Sequence, residues 1–262
     1  MKAMILAAGY GTRLRPLTLS LPKPLLLVGG RPLLVWNLML LKQHGITEAL
    51  INLHYRGDQI VEALGDGSRY GMRLAYSHEP VILGTGGGIQ QAQSYFENRP
   101  FLVLNGDTIS DCDLTALIET HRAAQALATL AIREDPRAVD WGAVMVDADS
   151  RIVQIKGEPQ SVAQQGAAGR MDAPASYMFA GAHVLEPGVV EAIPPGPGSI
   201  IDVYIELLRQ GQPLTGYPMS GYWSDIGTPE RYAAAEQDVS HGLLALAKKE
   251  QAAAAAVKQS TR

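Results

Sequence analysis

Ala3-Met4-Ile5-Leu6-Ala7-Ala8-Gly9-Tyr10-Gly11-Thr12-Arg13 decides how this chain is read. The apolar residues 3–7 predict a short buried strand, and the glycines after it give a loop whose backbone N–H groups can approach an anion. Two commoner glycine loops do not fit. A Walker loop ends in Gly-Lys-Ser/Thr, which is missing here. A dinucleotide fold starts its helix inside the glycine motif and places an acid about 20 residues later. Here Pro16, Pro22 and Pro24 keep residues 9–24 irregular, and the first acid is Glu48.

Outward from that loop, residues 1–47 carry Lys2, Arg13, Arg15, Lys23, Arg31 and Lys42 and no acid. The whole chain of 262 residues has 22 bases against 26 acids and a net charge of −4. A basic stretch in an acidic chain predicts a site for a strongly anionic small ligand. Arg13 can fork onto a phosphate, and Lys23 adds a compact positive charge. The overall balance gives no footprint for a nucleic acid. No apolar run reaches the roughly 20 residues of a membrane helix, and the apolar start is too short for a signal peptide. The single cysteine, Cys112, cannot form an internal disulfide, so a cytoplasmic setting is expected.

Strand and helix patterns alternate along the rest. Strands are predicted over 49–53, 73–77, 101–104, 127–133 and 176–184, and a hairpin over 143–146 and 152–156 around a turn at 147–150. Helices are predicted from Pro32 to Gly45, over 59–64 behind Asp58 as N-cap, over 86–94, 113–124 and 199–209, and from Thr228-Pro229-Glu230 onward into the Ala-rich tail. The alternation predicts an α/β fold with a Rossmann-like, mostly parallel central sheet, helices on both faces and a small antiparallel region. The expected organisation is one domain over 1–240, with a helical tail over 241–262 that frays where apolar anchors run out. Residues 157–175 are expected to form a loop. His54, His78, His121 and His183 show no metal-ligand spacing and read as incidental, and Trp36, Leu40 and Leu41 read as core.

Leu6-Ala7-Ala8-Gly9-Tyr10-Gly11-Thr12-Arg13-Leu14-Arg15-Pro16-Leu17-Thr18, with Pro22-Lys23-Pro24-Leu25, resembles the signature of the nucleoside-diphosphate-sugar pyrophosphorylases. The resemblance continues through Leu83-Gly84-Thr85-Gly86-Gly87, Asn105-Gly106-Asp107 and Trp223-Ser224-Asp225-Ile226-Gly227-Thr228-Pro229. It implies that Ala8, Gly9, Gly11, Thr12 and Arg13 hold a nucleoside triphosphate and that Gly84, Thr85 and Gly86 lie by the base. Lys23 would contact the reacting phosphates, and Asp107 and Asp225 would hold Mg²⁺. It further implies that Asn105, Gly142 and Glu158 face a sugar 1-phosphate. Lys156-Gly157-Glu158-Pro159 matches the family's sugar-side turn only in part, because the lysine after the glutamate is absent.

Among the family, the chain looks most like the N-acetylmuramate 1-phosphate uridylyltransferases, which implies UTP as donor. Guanylyltransferases acting on mannose or heptose 1-phosphate, a phosphocholine cytidylyltransferase and a catalytically silent nucleotide sensor are the other readings. Oligomeric state stays open, the tail helix being one surface on which a second copy could pack.

Overall fold

The computed structural model describes residues 1–158 and 177–248. The first half runs β1 (Ala3–Leu6), the short hairpin β2 (Leu27–Val28) and β3 (Arg31–Pro32), α1 (Leu33–Gln43), β4 (Glu48–Leu53), α2 (Gly57–Leu64), β5 (Arg73–His78) and α3 (Gly84–Gln91). Next come β6 (Phe101–Asn105), β7 (Thr108–Ser110), α4 (Leu114–Ala124), β8 (Ala128–Glu134), α5 (Ala138–Trp141), β9 (Val144–Val146) and β10 (Ile152–Ile155). The last elements are β11 (Tyr177–Leu185), α6 (Pro187–Glu191), α7 (Ile200–Arg209), β12 (Leu214–Pro218), β13 (Trp223–Asp225) and α8 (Pro229–Ser240).

The strands order as β12-β8-β11-β6-β1-β4-β5, and the β9–β10 hairpin joins the sheet where Val144 pairs with Tyr177. Strands β6, β1, β4 and β5 are parallel, whereas β11 lies antiparallel between β6 and β8. The chain steps from β1 to β4 to β5, then crosses back to place β6 on the other side of β1. That reversal opens a crevice beyond the carboxyl ends of β1 and β6, where open α/β sheets bind ligands.

Side chains alternate between two cores. Ala3, Ile5, Leu102 and Leu104 pack with Leu34, Leu38, Leu117 and Val239 of α1, α4 and α8. Met4, Phe101 and Val103 pack with Ile89, Val189, Tyr204 and Leu207 of α3, α6 and α7. Covered on both faces, β6 has no polar residue until Asn105.

Several local expectations change. Strand β1 stops at Leu6 because the Ala7 N–H donates to the Asn52 side chain (2.8 Å) rather than to a ladder. Residues 9–24 are not irregular throughout; they hold the short 3-10 turns Thr12–Leu14 and Leu17–Leu19, and a third, Lys23–Leu25, follows. Asp58 does not cap α2: the helix begins at Gly57 behind Arg56, which is left-handed with φ 51, and Asp58 lies in the first turn. Helix α3 begins two residues earlier than expected, because Gly86 N–H donates to the Gly198 carbonyl (2.9 Å) and Thr85 Oγ1 accepts from Ile200 N–H (2.9 Å). Ser199 and Thr228 do cap their helices through side-chain oxygens, and Asp113, expected as the first helical residue, caps α4 in the same way.

Helix α8 ends at Ser240 instead of running on into the tail. Gly242 turns the chain with φ 71, and a separate helical segment starts at residue 245. That segment is tied down: Asp111 accepts from Ala245 N–H (2.8 Å) and Leu246 N–H (3.1 Å), and Leu244, Leu246 and Ala247 are buried in the main core. The expectations for 159–175, for Ser176 and for the tail beyond 248 lie outside the described residues.

Candidate nucleotide and phosphate site

The glycine loop is braced from below. Asn52, buried at the end of β4, accepts from Ala7 N–H and donates to Glu79 Oε1 (2.7 Å). Glu79 is itself buried and accepts from Leu83 N–H (2.8 Å) at the entrance of α3. One amide thus links the glycine loop to the Leu83-Gly84-Thr85 segment. Gly11 has φ +63, and a β-carbon there would fall 3.0 Å from Thr18 Cγ2 and 3.1 Å from Lys23 Cβ. Only glycine takes this conformation without strain. The Thr18 hydroxyl donates to the Gly11 carbonyl (2.8 Å) and closes the loop. A β-carbon on exposed Gly9, by contrast, would meet nothing within 4 Å, so its backbone faces open space.

Above the loop lies a cavity of about 420 Å³. Ala8, Gly9, Gly11, Thr12, Arg13 and Lys23 line one wall, Gly84 and Thr85 another, and Asn105 and Asp107 a third. Gly86 does not reach it; it packs on Gly198, Ser199 and Ile200. Tyr10 also lines the cavity, and its hydroxyl bonds His54 Nε2 (3.0 Å), whose Nδ1 bonds the Glu79 carbonyl (2.8 Å). His54 is therefore a bracket for the loop and not incidental. His121 bonds Thr129 and Glu186, and His183 bonds Tyr204 deep in the core.

The two aspartates come together through a two-stranded ribbon that sequence patterns do not reveal. Strands β7 and β13 pair Asp225 with Thr108, and Ile226 N–H donates to the Asp107 carbonyl (3.0 Å). Each carboxylate already has a cation: Lys23 Nζ lies 2.6 Å from Asp107 Oδ2, and Arg231 Nη1 lies 3.0 Å from Asp225 Oδ1. Gly227 sits among these charges. A β-carbon on it would fall 2.3 Å from Asp225 Oδ1, 3.1 Å from Arg13 Nη2 and 3.2 Å from Arg231 Nη1.

The three residues expected on the sugar side separate. Asn105 stands at the mouth of the cavity, its side chain resting on Gly181. Gly142 instead lines a second surface cavity of about 450 Å³ with Trp141, Gln154 and Lys156, and the Lys156 stem lies across it. Glu158 is held by Arg209 Nη2 (2.6 Å) at the end of α7 and lines neither cavity. Trp141 and Trp223 meet edge to face (5.8 Å), with Arg231 over the first ring (4.2 Å) and Arg133 over the second (5.4 Å).

A family model described as Nucleotidyl transferase matches residues 2–242. The chain belongs to the nucleotidyl transferase family. It is 40% identical over 232 residues to an N-acetylmuramate alpha-1-phosphate uridylyltransferase of Neisseria meningitidis, covering 87% of this chain and 94% of that one. It is 35% identical over 246 residues to a mannose-1-phosphate guanylyltransferase of Mycobacterium tuberculosis, covering 92% of this chain but 65% of the relative. A UDP-glucose pyrophosphorylase solved with UDP-glucose shares the fold, with a TM-score of 0.75, 20% identity, and 92% and 98% of the two chains covered.

In this nucleotidyl transferase the Asp107 carboxylate lines the cavity and Asp225 lies behind Gly227, which also lines it; both are hard oxygen donors, the chemistry Mg²⁺ takes. No group of three or more His, Cys, Asp and Glu gathers among the described residues. Two carboxylates are the donor type Mg²⁺ takes when it keeps water and phosphate oxygens in its other positions. Sequence reasoning misses Asn52, Glu79, Tyr10, His54 and Arg231. Of these, Asn52 and His54 carry a signal in the sequence, as polar residues ending an apolar strand at the carboxyl edge of a parallel sheet.

Proposed function

We propose that this nucleotidyl transferase moves a nucleotidyl group from a nucleoside triphosphate to a sugar 1-phosphate, releasing pyrophosphate, with UTP as the donor. The observation that carries the reading is the meeting of Lys23 and Asp107 at 2.6 Å in a cavity that the glycine loop, Gly84-Thr85 and Asn105 also line. A phosphate oxygen of the sugar 1-phosphate attacks the α-phosphorus, and pyrophosphate departs in line. The nucleophile is already ionised near neutral pH, so the protein's work is positioning and charge neutralisation rather than proton abstraction. Backbone N–H groups of the glycine loop and Arg13 hold the departing phosphates. Lys23, fixed by Asp107, neutralises charge at the reacting centre. Asp107 and Asp225 would hold Mg²⁺, which would supply further charge neutralisation between the two anions.

UTP is supported by the neisserial relative, a uridylyltransferase of nearly the same length. GTP is the second reading, supported by the mycobacterial guanylyltransferase. No helix among the described residues is long and apolar enough to cross a membrane. A single buried cysteine, whose thiol burial pushes up to about 12, fits a reducing compartment such as the cytoplasm.

Pyrophosphate release from the four common triphosphates, each with N-acetylmuramate, mannose, heptose or glucose 1-phosphate or with phosphocholine, tests the reading. Turnover with UTP and a sugar 1-phosphate is expected. Turnover with phosphocholine alone, or with no pair, overturns it. Lys23→Ala should lower turnover about a hundredfold or more at saturating substrates, the usual scale for losing a transition-state charge contact.

A further inference from the structure

Arg231 touches residues on both sides of this site. Its Nη1 bonds Asp225 and comes within reach of Gly227, which lines the nucleotide cavity beside Arg13. Its guanidinium lies over Trp141, which lines the second cavity together with Gly142 and Lys156. On the nucleotidyl-transfer reading, with the triphosphate in the first cavity and the sugar on the Gly142 side, the acceptor phosphate falls between the two. Arg231 occupies that boundary.

Charge points the same way. Lys23 with Asp107 and Arg231 with Asp225 are two neutral pairs, and Arg13 adds a further positive charge at Gly227. Two guanidinium groups converging on one glycine, with one carboxylate between them, favour an anion. The Arg231 side chain is 33% exposed and Asp225 17%, so the arginine is the member of the pair that meets incoming ligand. The sequence has no lysine after Glu158, and Glu158 itself is committed to Arg209.

We propose that Arg231, held flat by Trp141, receives the phosphate of the sugar 1-phosphate, a role that rests on the nucleotidyl-transfer reading above. In the free chain Arg231 serves as the countercharge of Asp225. When a divalent cation occupies Asp225, Nη1 is released to the acceptor phosphate. Acceptor binding is thereby strengthened by the metal through this chain's own arginine.

The test uses the full-length protein with Arg231→Gln, Arg231→Lys and Trp141→Leu. Steady-state rates are measured against the triphosphate and against whichever sugar 1-phosphate the wild type turns over best. Arg231→Gln should raise KM for the sugar 1-phosphate about tenfold or more, the scale of a lost charge-assisted hydrogen bond, and leave KM for the triphosphate within about twofold. Lysine should restore part of the loss, because it keeps the charge without the fork. Trp141→Leu should raise the same KM with a smaller change. Calorimetric titration of inorganic phosphate should show tighter binding with Mg²⁺ in the wild type, and no such gain in Arg231→Gln. An unchanged sugar 1-phosphate KM in Arg231→Gln, or equal rises for both substrates, overturns the assignment. If Arg231→Gln fails to fold, an unchanged KM in folded Trp141→Leu overturns it instead. A wild type inactive with every pair overturns the functional reading rather than this one, and the phosphate titration still reads the arginine.

Discussion

Gly227 has no room for a side chain, yet the atoms that exclude one are the far ends of Asp225, Arg13 and Arg231. These ends can shift by bond rotation at small cost to the fold, but each shift moves a charge. Gly227→Ala should therefore keep its thermal midpoint close to wild type and lose turnover at least tenfold, read by calorimetry and pyrophosphate release on the same preparation. Gly11→Ala differs, because φ +63 and contact with Lys23 Cβ strain the backbone itself. It should cost about 1–2 kcal/mol of stability, measured by urea unfolding, besides its effect on triphosphate KM. At this scale Arg13 and Lys23 were legible as bases in an acid-free stretch. Arg231 was not, since an arginine three residues past a helix cap looks like any solvated side chain until Trp141 and Asp225 are brought to it.

Helix signals carried most of the element scale. Caps at Ser199 and Thr228 read correctly because each requires only a side-chain oxygen close along the chain to the N–H it accepts. Signals failed where the partner was remote. The segment from 245 is capped by Asp111, more than a hundred residues away, so no local pattern announced a second helix after Ser240. Asp111→Ala should cost about 1 kcal/mol, the usual worth of a cap. Hydrogen exchange should accelerate at Ala245 and Leu246 and stay unchanged in β1 and β6; uniform acceleration through the sheet would contradict a local clasp. Strands β7 and β13 escaped for the same reason. Three residues each, they are defined by pairing with one another rather than by any apolar period.

Across the whole molecule, one buried group links the fold to acidity. His183 on β11 bonds Tyr204 on α7, and complete burial holds its imidazole down at about 3. Unfolded, it would take a proton near its ordinary value of about 6.5. The unfolded state therefore binds more protons between those two values, and stability falls as pH drops from about 6.5 toward about 3. Acid unfolding followed by circular dichroism should show a decline over this window that is shallower in His183→Gln; equal slopes would place the acid sensitivity elsewhere. By itself the sequence determined the α/β alternation, the glycine loop and its basic field, and the family resemblance marked Asp107 and Asp225. These are legible because burial on both faces of a parallel sheet forces apolar runs, and phosphate forces glycine and cations, within a few residues of one another. Only the tertiary structure decided that Asp107 meets Lys23, that Asn52 ties the loop to α3, and that Arg231 joins Asp225 to Trp141 while Glu158 is taken up by Arg209. Each of those contacts joins residues on different elements, or side chains on opposite sides of a loop. Packing of the two cores against the sheet is what sets such distances, and no local period encodes them.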